Sequence, residues 1–184
     1  MRKILAIDPG TIKSAYCIAS EDYTFGPAGK VENETVLRLV KECEYDEVAI
    51  ECMESRFLGG EHTAGQRIGS ETYDTCIWIG RYMEAAATRG KQIARVYRSE
   101  ERSRIIPSKR NRLPPLPEPA PRGTDAQIRA ALIRRFARHD MKNGKGTAGN
   151  KDVFYGFRAD MWSAAAVAVV YLDRKREADK GGEA

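Results

Sequence analysis

The sequence predicts an α/β domain built on a mixed sheet, and three observations carry that reading. Strand-like apolar runs crowd the N-terminal part, helical and strand patterns alternate from residue 33 to residue 97, and only helical periodicity remains from residue 124 onward. The chain of 184 residues fits one domain, placed at 1–176, with 177–184 as a flexible tail. With 42% hydrophobic residues it has material for a core, which excludes wholesale disorder.

Taken in order, "KILAID" (3–8), "KSAYCIA" (13–19) and a short piece near 23–31 read as a three-stranded meander. "NETVLRLVKEC" (33–43) is a helix with Asn33 as N-cap and Val36, Leu37, Leu39 and Val40 as its apolar face. "DEVAIECM" (46–53) is the next strand, followed by the glycine-rich loop "SRFLGGEHTAGQRIG" (55–69). A helix runs from Ser70 to about Arg89 and stops at Gly90, and "QIARVY" (92–97) is a further strand. Six of the eight prolines lie between Pro107 and Pro121, so residues 107–123 form an exposed, semi-extended loop. An amphipathic helix from Thr124 to about Arg138 buries Ile128, Leu132, Ile133 and Phe136, with Thr124 or Asp125 as its cap. After the loop 143–152, a last helix spans about Ala159 to Arg176.

No apolar stretch approaches the ~20 residues of a membrane span, and "MRK" leads straight into the first strand, so the expectation is a cytoplasmic protein without a membrane partner. Cys17, Cys43, Cys52 and Cys76 show no Cys-x-x-Cys spacing and read as reduced, partly buried thiols. The net charge of +5 tilts toward a polyanionic partner. Positive charge is densest in "RSEERSRIIPSKRNR" (98–112) and "RAALIRRFARH" (129–139), either a solvated face or a phosphate-binding one.

Three acids stand where acids are costly. Asp8 ends an apolar strand and is followed at once by Pro9 and Gly10, a strand stop and a residue free to take the positive φ of a tight turn. Glu51 interrupts the run Val48-Ala49-Ile50-Glu51-Cys52-Met53, where it either faces solvent, meets a buried arginine or serves a site. Asp160 heads the stripe 160, 163, 164, 167, 168 and 171 of the last helix, as a capping acid or as a member of a site. Two acids on strands and one at a helix start are expected to converge, and converging carboxylates need a cation. An oxygen-only donor set selects a hard ion such as Mg²⁺ or Mn²⁺, and such ions work in pairs on phosphodiesters.

"AIDPGTIKSAY", "AIEC" and "DMWSAAAVAVVY", in that order, resemble the RuvC Holliday-junction resolvases, and most closely their shorter bacteriophage and prophage type. The likeness extends to "SETYDTCIWIGRYMEAA", "TDAQIRAALIRRF" and "FYGFRAD". It implies an RNase H-like fold with three antiparallel strands followed by parallel ones, a homodimer, and cleavage of branched DNA to 5′-phosphate ends. It implies Asp8, Glu51 and Asp160 as catalytic metal ligands for two Mg²⁺, with Mn²⁺ able to substitute and no small-molecule cofactor. Many members carry a fourth acid one turn after the third; here that position is Ser163, with Asp152 or Asp125 as substitutes. Phe57 matches the aromatic residue that probes the junction centre, with packing beneath its loop as the other reading. Arg56 and Arg67 of that loop, with Arg104, Lys109, Arg110 and Arg129, are candidate DNA contacts. Other readings are an actin-like ATPase lobe, for which the chain is short, an RNA-processing RuvC-like nuclease, and a junction-binding protein without cleavage.

Overall fold

Strand β1 (Lys3–Asp8) reads as an unbroken apolar run because it is covered on both faces, with Ile4, Leu5, Ala6 and Ile7 all closed to solvent. In the computed structural model, which describes residues 1–54, 69–109, 111 and 113–181, β2 (Lys13–Ser20) and β3 (Phe25–Glu32) extend β1 as an antiparallel meander. Strands β4 (Glu47–Cys52) and β5 (Gln92–Tyr97) lie parallel on its other side, so the sheet order is β3-β2-β1-β4-β5. Three parallel strands therefore end at one edge, where α/β folds place their sites.

Alternation sorts the side chains into two layers. Leu5, Ile7, Val48 and Ile50 face helices α1 (Asn33–Glu42) and α2 (Ser70–Thr88), packing with Val36, Val40, Ile79 and Tyr82. Ile4, Ala6, Ala49, Ala94 and Val96 face the opposite layer, formed by α3 (Arg98–Ile105), α4 (Thr124–Phe136) and α5 (Met161–Gly181). Small side chains on both sides, Ala6 and Ala49 on strands and Ala164, Ala165 and Ala168 on α5, let that helix lie close to the sheet.

Several expectations are corrected. Helix α3 occupies part of the segment that reads only as basic charge. Residues 161–172 of α5, apart from Ser163, are buried on every side rather than along one stripe, because α3 and α4 cover the face turned away from the sheet. The helix also continues to Gly181, past Arg176, with Glu177 held at 2.9 Å through both oxygens by Arg104 Nη1. Asn33 is not a cap: it sits inside the first turn of α1, buried. At α4 neither Thr124 nor Asp125 caps; Gly123, at φ 84°, is the capping residue. Gly90 terminates α2 in the left-handed conformation, φ 66°, as its position predicts.

Candidate active site

Asp8 and Glu51 are neighbours because the parallel register that pairs Ile7 with Ile50 carries one residue further. Strand parity puts both on the face of Ala6 and Ala49, toward α5, and the two carboxyl groups share a hydrogen bond. Glu51 thus does not face solvent by alternation.

The turn after Asp8 is pinned from below. Ser14 Oγ accepts from Gly10 N at 3.2 Å and donates to Asn33 Oδ1 at 2.6 Å, and it lies 3.0 Å from the Tyr82 hydroxyl. Asn33 Nδ2 donates to the carbonyls of Gly10 and Thr11 at 2.9 and 3.1 Å. Gly10 is needed for closeness rather than for a positive φ: a Cβ there would lie 2.4 Å from the Lys13 carbonyl oxygen. A fully bonded buried network of this kind fixes one geometry.

Asp160 is placed by the start of α5, where its carbonyl accepts from Ala164 N at 3.1 Å. Its carboxylate forms a short ion pair with Lys30 of β3. Asp8, Asp160, Lys30 and the Pro9–Lys13 turn line one open depression of about 360 Å³. Among the described residues, however, no three acidic, histidine or cysteine side chains stand close enough to hold an ion as they are. Asp8 and Glu51 are together; Asp160 is turned to Lys30.

A further acid belongs to this neighbourhood. Glu101, in α3 directly after the end of β5, is fully buried. Its Oε2 accepts from Arg98 Nη1 at 2.5 Å, while its buried Oε1 has no hydrogen-bond partner among the described residues. Arg98 also pairs with the exposed Asp125. Burial, then the charge of Glu51, push the Glu101 carboxyl up to about 8, with Arg98 opposing. Burial, followed by Glu51, Glu101 and Asp160, raises Asp8 well above the usual carboxylate range. Burial also raises Glu51, against the field of Arg98. Sequence reasoning missed Glu101 because it lies in a charge run; the signal was its position just past a strand parallel to the one bearing Glu51.

A second depression, about 300 Å³, is lined by Arg98, Arg129, Asp160, Trp162 and Ser163 among others. Arg129 lies 5.0 Å over the Trp162 ring, and that ring packs on Phe154 and Phe157. Lys109 is exposed; Arg104 is engaged by Glu177. Arg56, Phe57, Arg67 and Arg110 lie outside the described residues. Asp152 is fully occupied elsewhere, accepting backbone N–H groups from Arg138, His139, Asp140 and Val153. The thiols of Cys17, Cys43, Cys52 and Cys76 are free. No helix among the described residues is long and apolar enough to cross a membrane.

No protein-family model matches the chain, and no curated protein matches it. Solved structures do. The Thermus thermophilus RuvC in complex with Holliday junction substrate superposes at a TM-score of 0.60 over 96% of both chains, with 12% sequence identity. A second structure of Thermus thermophilus RuvC gives 0.57 over 96% of both chains at 13% identity. The order of strands, the antiparallel-then-parallel sheet and this likeness across nearly the whole length give the chain a RuvC-like fold of the RNase H type.

Proposed function

We propose that the chain is a metal-dependent, structure-specific endonuclease that cuts four-way junctions and related branched DNA by paired nicks from two subunits. One observation carries the reading: two carboxylates, Asp8 and Glu51, are forced together at the parallel-strand edge of a RuvC-like fold. Such a pair is expensive without a cation, since each carboxylate disfavours the charge of the other. The donor set consists of oxygens only and suits Mg²⁺, with Mn²⁺ as substitute.

Asp8, Glu51 and, on leaving Lys30, Asp160 would hold two such ions. When bound, the ions supply a water of lowered pKa and neutralise charge on the phosphate. The chain's own groups then orient the substrate. Lys30, released from Asp160, faces the same depression as a phosphate donor, and Arg129 presents a guanidinium on the rim of the neighbouring one. The neighbour bound to Holliday junction substrate supports branched DNA as the partner.

The test is cleavage of a synthetic four-way junction with and without Mg²⁺. Wild type is expected to nick opposing strands only with the metal, leaving 5′-phosphates, while Asp8→Asn and Glu51→Gln bind the junction without cutting it. Full activity in either variant overturns the assignment. A wild type that binds junctions but never cuts them with Mg²⁺ or Mn²⁺ establishes the binding-only reading instead.

A further inference from the structure

We propose that Glu101 is the fourth carboxylate of the metal site, supplied by α3 in place of the acid that Ser163 lacks. The proposal rests on the nuclease reading above and names a ligand from a different element of the fold.

Glu101 has no reason to be buried as a surface helix acid would be. The carboxylate is closed to solvent in a helix whose other charged side chains, Arg98, Glu100, Arg102 and Arg104, are at least partly exposed. Burying a carboxylate costs several kcal/mol unless its oxygens are satisfied. Only Oε2 is satisfied, by one nitrogen of Arg98. An arginine recruited solely to neutralise a buried glutamate normally takes both oxygens in a forked pair. Here Arg98 divides itself between Glu101 and Asp125, and Oε1 is left without a donor.

That lone oxygen sits in the right neighbourhood. Helix α3 starts where β5 ends, and β5 lies beside β4, with Val96 in register with Glu51. Glu101 is near enough that Asp8 and Glu51 both interact with it electrostatically. The other candidates for a fourth acid are disqualified by their contacts. Both oxygens of Asp152 are taken by backbone N–H groups, and Asp125 is 81% exposed. Ser163 lines the depression that also holds Arg98 and Asp160, so the gap left by the missing acid adjoins Glu101's partner. Arg98 therefore marks where positive charge is wanted beside Glu101 and Glu51; Glu101 Oε1, the oxygen Arg98 leaves unpaired, would be the ligand offered to a second cation.

The experiment is titration of Mn²⁺ into metal-free protein at constant pH, followed by calorimetry and by Mn²⁺ electron paramagnetic resonance. Wild type is expected to show a stronger and a weaker site. Glu101→Gln should weaken the second by at least about tenfold and leave the first; Asp8→Asn should remove the first. Adding Ser163→Asp to Glu101→Gln should restore the weaker site by supplying a carboxylate from the depression that Ser163 shares with Arg98 and Asp160. Glu101→Asp keeps the charge but draws the carboxylate back by one methylene, and it carries the same expected loss if the Gln variant does not fold. Unchanged isotherms in Glu101→Gln, with a lowered metal-free melting temperature, would show a purely structural ion pair and overturn the proposal. If Asp8→Asn alone alters binding, the nuclease site stands and only the role of Glu101 falls. If neither Asp8→Asn nor Glu101→Gln changes Mn²⁺ binding, or wild type binds none, both readings fall.

Discussion

Asp152 is expected to be a structural acid whose loss unfolds a loop and not a metal site. Its carboxylate closes the segment between α4 and α5 with a division of labour. Oδ1 accepts from Arg138 N at 2.9 Å and Val153 N at 2.7 Å, and Oδ2 from His139 N at 2.9 Å and Asp140 N at 2.6 Å. Asp152→Asn is therefore not conservative: whichever way the amide turns, its NH₂ confronts one pair of donors. Stranding a buried donor costs about 1–3 kcal/mol, and Arg138 and His139 are exposed enough for water to recover part of it, so a loss of about 2–4 kcal/mol is expected at pH 7. The sign with pH follows from the same contacts. Burial alone would raise this carboxyl, but the four N–H groups outweigh it and hold its pKa far below the ordinary range. On acidification the unfolded chain takes up the proton first, so the stabilisation is complete above about pH 5 and declines as pH falls toward the folded value. Urea denaturation of wild type and Asp152→Asn at pH 7 and pH 3 measures both. Equal midpoints at pH 7, or a difference that fails to shrink at pH 3, would refute the reasoning, and so would loss of Mn²⁺ binding by a folded variant.

Two further outcomes are expected at the site. Gly10→Ala places a methyl group 2.4 Å from the Lys13 carbonyl oxygen, so the turn must move; a stability loss of about 1–3 kcal/mol in thermal melts and a fall in junction cleavage should accompany it, and a variant that melts and cuts like wild type would remove Gly10 from the account. Arg129→Ala should weaken junction binding and lower the slope of log affinity against log salt by about one, as for a single lost phosphate contact, whereas an unchanged slope assigns Arg129 to packing on Trp162 alone.

The central strands β1, β2, β4 and β5 were legible as short, largely apolar runs, with Pro9 and Gly10 marking the first turn, whereas β3 holds Gly26, Pro27 and Gly29 within an edge strand and is placed mainly by its pairing with β2. Asp8 and Glu51 were legible for the opposite reason, as acids embedded in apolar runs. Helix α3 was not, since "RSEERSRI" has a single apolar residue, Ile105, and is held by ion pairs and by packing on α4 and α5 rather than by its own periodicity. Glu101 was hidden with it. An acid among charged neighbours carries no mark of burial until the helix before and the strand beside it are placed. Asn33 shows the same limit in another form: its position predicts a cap, but the turn at Gly10 offers its side chain better partners across 22 and 23 residues of sequence.

The arrangement of charge also explains why the acids do not close into a cage by themselves. Asp160 and Glu101 have protein cations in direct ion pairs, Lys30 and Arg98, whereas Asp8 and Glu51 have their mutual hydrogen bond and, for Glu51, the more distant field of Arg98. On the proposed nuclease reading, Asp8 and Glu51 would be the first ligands of a divalent cation, since neither forms an ion pair with a lysine or arginine among the described residues. Asp160 and Glu101 would serve as ligands only on parting from Lys30 and Arg98, which would leave those two charges beside the site. On the proposed reading, Lys30 and Arg98 would pair with the acids in the metal-free site and with substrate phosphate in the loaded one, so that metal and branched DNA would favour each other's binding.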